Sequence, residues 1–266
     1  HKPINRLWYA WQRRIASRAA ALICVSEATR QDALRFVGAP DERCIVVHEG
    51  VDRGVFHPLS AEGPGRDPLP AAPGHVPHPP FILFVGGDYA NKNRAAALAA
   101  FSRLAQATPL PHHLVLVGQD GTTGAQLAAA YPGLDLARVH RLPGVAQTEL
   151  AQLYRRADVF LFPSTHEGFG LPVLEAMASG APVVASAASS VPEVAGDAAL
   201  LVDPHNVDAI AAALGLVLAD AALRDRLRAA SLTRSAAFTW EAMARRTLDV
   251  YRRVTPSAFS PRLRTA

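Results

Sequence analysis

The chain has 266 residues, half of them hydrophobic, with a formal charge of +4 and two cysteines. That length buries a sizeable core in one large or two small domains, and no apolar run approaches a membrane span, which predicts a soluble protein. Lys2 and Lys92 are the only lysines among 27 basic residues, and no Lys/Arg block of the kind that binds DNA or RNA occurs, which argues against a nucleic-acid partner. Cys24 and Cys44 each lie in an apolar, strand-like run, so buried free thiols are expected rather than a disulfide or a metal site. A reducing cytoplasm fits. The chain starts at His1 and shows no signal peptide, and it reads as a piece of a longer protein.

Asn5 to Ala21 has Leu7, Trp8, Trp11 and Ile15 on one side and Arg6, Arg13, Arg14 and Arg18 around the rest, the pattern of an amphipathic helix. Packing of its apolar face on a domain is the favoured reading. The alternative is weak peripheral association with an anionic membrane, at its cytoplasmic face. Ala21 to Val25 is a short strand, Ser26 an N-cap, Glu27 to Val37 a helix closed by Gly38, and Cys44 to His48 another strand. This alternation predicts parallel β/α units. Pro58 to Pro80 is dense in proline, which predicts an extended linker and a domain boundary. His75 and His78 within it have metal-like spacing but no further ligands nearby, and read as loop residues.

Phe81 to Val85 is an apolar strand followed directly by Gly86 and Gly87, and Asn91 to Arg94 precedes a helix over Ala95 to Gln106. Lys92 is a compact cation where a diphosphate can be met, or a solvated loop lysine; the residues alone leave both open. His113 to Val117 is the next strand. The following GQDGTTG is not a dinucleotide fingerprint, and the strand Arg138 to Leu142 ends without an acidic residue for an adenosine ribose, so an NAD enzyme is disfavoured. His112 and His113 point to opposite faces of a strand and do not chelate one ion together.

The most informative stretch is Phe162 to Gly180, FPSTHEGFGLPVLEAMASG. Asp158 to Phe162 has strand character, Pro163 ends it, Gly168 and Gly170 allow a loop that approaches a ligand, and Pro172 suits a first helical turn. Val173, Leu174, Met177 and Ala178 recur at helical spacing, and Gly180 sits at the left-handed C-terminal position. Exposed N–H groups at that helix start form an anion site. Glu167 in the loop and Glu175 one turn into the helix can line one pocket, as acceptors for the hydroxyls of a sugar and a ribose. Either Glu alone is equally well a solvated residue or a favourable charge at a helix start. Beyond lie a strand over Pro182 to Ser186, a helical piece at Pro192 to Val194 and a strand over Ala198 to Val202. Helices follow from Asn206 to about Leu218, from Ala221 to Ala236 and, capped by Thr239, from Trp240 to Val254.

The two glutamates with their flanks, ELAQLYRRADVFLFPS before and PVVASAASSVPEVAGDAALLVDP after, resemble the E-x7-E signature of retaining nucleotide-sugar glycosyltransferases of the GT-B fold, family 4, mannosyltransferases most of all. The resemblance implies an α/β architecture with a Rossmann-like donor domain, a parallel sheet with helices on both faces. It divides the chain into the end of an N-terminal acceptor-side domain over 1–57 and a linker over 58–80. The donor domain then covers 81–236, a helix crossing back 237–256 and a tail 257–266. It also implies roles: Glu167 at the donor sugar near the reacting carbon, Glu175 on the ribose, and the backbone of Gly168, Phe169, Gly170 and Leu171 at sugar and diphosphate. VGGDYANKN resembles the family's phosphate loop, which gives Gly86, Gly87 and Lys92 to the diphosphate, and Leu142 to Val145 resembles the base-contacting segment, giving Val145 to the base. Many members carry Arg where Gly87 stands, so Arg94 or another group has to supply that second charge. Glu193 resembles a retained family residue, assigned to structural hydrogen bonding.

The expected activity is transfer of a hexosyl unit, mannosyl from GDP-mannose, to a glycan or lipid-linked acceptor with retained configuration. The nucleotide diphosphate sugar is the substrate, and neither a cofactor nor a metal is expected, in keeping with the absence of an Asp-x-Asp triplet. A UDP-glucose-dependent transferase, a GT-B sugar-nucleotide epimerase and a nucleotide-sugar-binding piece without turnover remain as alternatives. A glycosidase also uses two carboxylates but needs no diphosphate site.

Overall fold

The computed structural model describes residues 11–59, 80–119 and 121–255. The Pro-rich stretch from 60 to 79, with His75 and His78, lies outside them, as do the terminal residues, including Leu7, Trp8 and the tail. The chain divides into two compact units, His1–Gly50 with Phe238–Ala266, and Val51–Ala237.

In the first unit, residues 11–16 are helical, and Trp11 and Ile15 are exposed. Strand β1 (Leu22–Cys24) pairs in parallel with β2 (Cys44–Val46), Leu22 opposite Cys44. Between them runs α1 (Glu27–Asp32), whose N-cap Ser26 accepts from the Thr29 N–H as its sequence position predicts. The sequence suggests a plain helix to Val37, but Ala33–Val37 is a π-helical segment. The cause is local: the N–H of left-handed Gly38 reaches back five residues to the Ala33 carbonyl at 3.1 Å, which widens the last turn. Both cysteines are buried free thiols. Burial, with Cys44 beside it, pushes the Cys24 thiol up to about 11.

The second unit holds a six-stranded parallel sheet, β3 (Phe81–Val85), β4 (His113–Val117), β5 (Val139–Leu142), β6 (Val159–Phe162), β7 (Val183–Ser186) and β8 (Leu200–Val202), in the order β5-β4-β3-β6-β7-β8. Helices connect the strands, α2 (Arg94–Ala107), α3 (Gly124–Ala130), α4 (Gln147–Arg156), α5 (Leu171–Ala178) and α6 (Val191–Ala195), and α7 (Val207–Ala219) and α8 (Ala221–Ser235) follow the last strand. Strands buried on both faces read as continuous apolar runs, as FILFV in β3 and VFLF in β6 do. Ile82, Phe84, Leu114, Leu116, Val159 and Leu161 face a core closed by Leu98, Phe101 and Leu104 of α2 and Ile210, Leu214 and Val217 of α7. Their alternate residues face the other side. There Phe160 packs edge-on to Tyr154 of α4 with ring centroids 5.1 Å apart, and Tyr154 in turn meets Phe56.

The strand order positions the site. β3, β4 and β5 step outward in one direction and β6, β7 and β8 in the other, so the order reverses between β3 and β6. In open α/β sheets the crevice beyond the carboxyl ends of the strands at such a reversal is where ligands bind. The strands that flank it are the two followed by the glycine loops.

A last helix, α9 (Trp240–Val254), belongs to the first unit, with the Thr239 hydroxyl accepting from the Ala242 N–H at its start. Among the described residues no helix is long and apolar enough to cross a membrane.

Candidate active site

From β3 the chain passes Gly86 and Gly87, makes a 3-10 turn at Ala90–Lys92, and enters α2 through Asn93, which holds a left-handed backbone (φ 55°). The Asn93 side chain bridges two other loops, donating to the carbonyls of Pro163 (3.0 Å) and Pro204 (2.7 Å). Asn91 adds a bond from its Nδ2 to the His166 carbonyl, while its own carbonyl accepts from the Thr165 N–H at 2.8 Å and the Ser164 hydroxyl at 2.6 Å. The loops after β3 and β6 are therefore stitched together along their length.

This stitching brings Lys92 and Glu167 into contact, Nζ to Oε1 at 2.7 Å. Their side chains are 19% and 11% exposed, so the pair is shielded from bulk water and less screened by salt than a surface pair. The same Glu167 oxygen accepts from the Ser164 hydroxyl at 2.6 Å, and the Lys92 ammonium lies 5.2 Å from the centre of the Phe162 ring. The Glu167 backbone is fixed separately. Its N–H donates to the Ser189 hydroxyl, and its carbonyl accepts from the hydroxyls of Ser189 (2.8 Å) and Ser190 (3.0 Å). Ser189 itself sits at φ 57°, a conformation a serine adopts only where its surroundings hold it.

A third loop, after β4, closes the floor. A side chain at Gly118 would place its Cβ 2.6 Å from the carbonyl carbon of Gly86, so the two loops touch only because 118 is glycine. Backbone bonds lock the contact: Gly86 N–H to Val117 and Asp88 N–H to Gln119. Arg94, considered above as a second phosphate cation, is buried, paired with Asp88 at 3.1 Å and donating to Thr122 at 2.8 Å. It braces the loop.

Helix α5 starts at Gly170, whose backbone is left-handed (φ 109°) and which offers no side-chain cap. Gly168 is exposed, Phe169 and Gly170 are buried, and Leu171 is intermediate. One turn on, Glu175 is mostly buried and accepts from the Tyr154 hydroxyl at 3.2 Å. Burial raises its carboxyl to about 7, against the opposing pull of the Tyr154 bond. Val145, half-buried, lies in the loop after β5. Thus Gly86, Gly87, Lys92 and Glu167 share one crevice with the start of α5. Among the described residues no three His, Cys, Asp or Glu side chains form a group able to hold a metal ion. His113 pairs with His140 at 2.7 Å and His112 lies 3.7 Å from Asp158, each histidine with its own partner. Glu193 lends its backbone carbonyl to Arg234.

Sequence reasoning missed Gly118, Ser164, Ser189 and Tyr154. The first two had a signal, a glycine directly after an apolar strand and a serine three residues before Glu167. The other two had none.

A parallel sheet reversing between two glycine loops, each loop leading to a helix start, defines a Rossmann-like α/β domain, and comparison with known proteins makes it one of the GT-B type. The family model for glycosyl transferases group 1 matches residues 66–234 and that for glycosyltransferase family 4 matches residues 1–54. The chain belongs to the group 1 glycosyltransferases. It is 36% identical over 259 residues to a D-inositol 3-phosphate glycosyltransferase of a Nocardioides species, covering 91% of this chain and 55% of that protein. It is 34% identical over 257 residues to an MMP alpha-(1->4)-mannosyltransferase of Mycolicibacterium hassiacum, covering 94% and 59%. Among solved structures, the sucrose-phosphate synthase of Thermosynechococcus elongatus superposes with a TM-score of 0.77 at 27% identity, covering 94% of this chain and 62% of the other. The chain thus spans somewhat more than half the length of each of these three proteins.

Proposed function

We propose that the chain is the donor-binding part of a glycosyltransferase. That enzyme moves a hexosyl unit, mannosyl from GDP-mannose, from a nucleoside diphosphate sugar to a glycan or lipid-linked acceptor, with retention and without a metal. The observation that carries this reading is the Lys92–Glu167 contact, made where the sheet order reverses and both glycine loops end.

In this reading the ammonium of Lys92, the backbone of Gly86 and Gly87 and the positive end of α5 face the diphosphate, and stabilise the charge that grows there as the glycosyl bond breaks. Glu167 holds the donor sugar from the other side. Its Oε1 is occupied by Lys92 and Ser164, which turns Oε2 to a sugar hydroxyl and keeps negative charge beside the reacting carbon. The acceptor hydroxyl enters on the face the diphosphate leaves, so Glu167 forms no covalent bond. The backbone from Gly168 to Leu171 lines the sugar and diphosphate, Glu175 takes the ribose hydroxyls, and Val145 meets the base. A relative named as a mannosyltransferase supports the mannosyl donor.

The chain spans 55% of its inositol-phosphate glycosyltransferase relative, so a nucleotide-sugar-binding piece without turnover stands as the alternative reading. Calorimetric titration with GDP, UDP and ADP in EDTA tests the proposal. Selective GDP binding is expected. A UDP preference keeps the transferase and changes the sugar, and failure of all three to bind the full-length protein overturns it.

A further inference from the structure

Tyr154 of α4 is fully buried, and its ring is held from two sides. Phe160 of β6 meets it edge-on with ring centroids 5.1 Å apart, and Phe56 does the same at 6.1 Å. The segment around Phe56 is fastened to α4 by the next residue, Arg155, which donates to the carbonyls of Val55 and His57 at 2.7 Å each. The ring is therefore fixed in place. A buried phenol hydroxyl needs a hydrogen-bond partner, and here it donates to Oε2 of Glu175, on α5, at 3.2 Å.

Helix α5 does not depend on this bond for its packing. Val173, Leu174, Ala176 and Met177 are all buried and hold it to the unit, and a phenylalanine at 154 would fill the same space between Phe56 and Phe160. What the hydroxyl adds is control of the Glu175 carboxylate. It takes Oε2, while Oε1 has no hydrogen bond among the described residues. Burial pushes the carboxyl up to about 7, and the bond from Tyr154, the titratable group that faces it, pulls the other way.

We propose, building on the donor-binding reading above, that Tyr154 is a positioning residue for Glu175, which occupies Oε2 and leaves Oε1 to accept from a ribose hydroxyl. The same bond favours the ionised carboxylate, the form that only accepts hydrogen bonds. Ribose recognition then depends on a side chain that touches no part of the nucleotide.

The test is calorimetric titration of the chain, from about pH 6 to about pH 9, with whichever of GDP, UDP and ADP binds most tightly and with its 2′,3′-dideoxy form. The ratio of the two affinities reads the ribose hydroxyls alone, because titration of the phosphate itself cancels. In wild type the preference for the ribonucleotide is expected to grow as pH rises through about 7. Tyr154→Phe should lower that preference about threefold to tenfold near neutral pH, the scale of one hydrogen bond, and move its midpoint to higher pH, with dideoxynucleotide binding unchanged. Glu175→Gln should remove the pH dependence of the preference. Equal weakening of both nucleotides by Tyr154→Phe overturns the proposal and assigns the hydroxyl to the fold. A Tyr154→Phe preference with the wild-type size and midpoint overturns it too, as does a pH dependence that survives in Glu175→Gln. If Lys92→Ala weakens both nucleotides while Tyr154→Phe behaves as wild type, the donor site stands and only the positioning role falls. If wild type binds no nucleotide, both readings fall.

Discussion

The Lys92 ammonium lies 2.7 Å from a Glu167 carboxylate oxygen, although 75 positions of sequence separate the two residues. Each is the other's charge partner in a crevice with little solvent, and a bound diphosphate offers Lys92 a second anion. We expect Lys92→Ala to weaken nucleoside diphosphate binding by about 1–3 kcal/mol, the scale for losing a charge-assisted bond. Isothermal calorimetry measures it, and unchanged affinity would remove Lys92 from the diphosphate site.

Glu167 is held in two independent ways. Its backbone is anchored by Ser189 and Ser190, and its side chain by Lys92 and Ser164. Substitution of the side chain leaves the backbone anchors in place, so the loop keeps its course. In the full-length protein, Glu167→Ala is expected to abolish glycosyl transfer while nucleoside diphosphate affinity stays close to wild type. An assay of product paired with calorimetry checks this. Joint loss of turnover and binding would reassign Glu167 to holding the loop.

Glu175, proposed to hold the ribose, also bears on stability. Burial lifts its carboxyl from 4.5 to about 7. Between those values the folded state binds more protons than the unfolded one, so this group's contribution is most favourable at low pH. It falls as pH rises through about 7, by roughly 3 kcal/mol in all. Glu175→Gln carries no such charge and retains an acceptor for the Tyr154 hydroxyl. We expect its melting temperature to exceed that of wild type at pH 8 and the difference to shrink toward pH 5. A difference independent of pH would show that the carboxyl does not titrate in this range.

Gly118 is the point where the β3 and β4 loops touch. It also has φ 138°, a region L-residues rarely enter. Gly118→Ala must push the Gly86 carbonyl away or bend its own backbone, at a cost of about 1–3 kcal/mol. Because Gly86 lies in the loop proposed to hold the diphosphate, denaturant midpoint and nucleotide affinity should fall together. A variant with wild-type affinity would uncouple the floor of the site from its function.

Much of this molecule was legible in one dimension. The bounds Phe81–Val85, His113–Val117 and Trp240–Val254 follow from apolar runs, glycine and proline stops and the cap at Thr239, all properties of a few neighbouring residues. The helix expected over Glu27 to Val37 went astray only in its last turn, where one hydrogen bond from Gly38 selects the wider form. Glu167, Glu175 and Lys92 stood out because carboxylates and a rare lysine follow strands and glycines.

Sequence by itself determined which segments are strands, which loops carry glycine and which charges sit at helix starts, because these depend on periodicity and local backbone freedom. Tertiary structure alone decided that β3 lies beside β6, and with it that Lys92 meets Glu167, that Asn93 and Ser189 fasten loops from distant parts of the chain, and that Tyr154 lies against Glu175. Strand order arises from the packing of helices on both faces of the sheet, a balance over the whole unit, and no local pattern of residues encodes it.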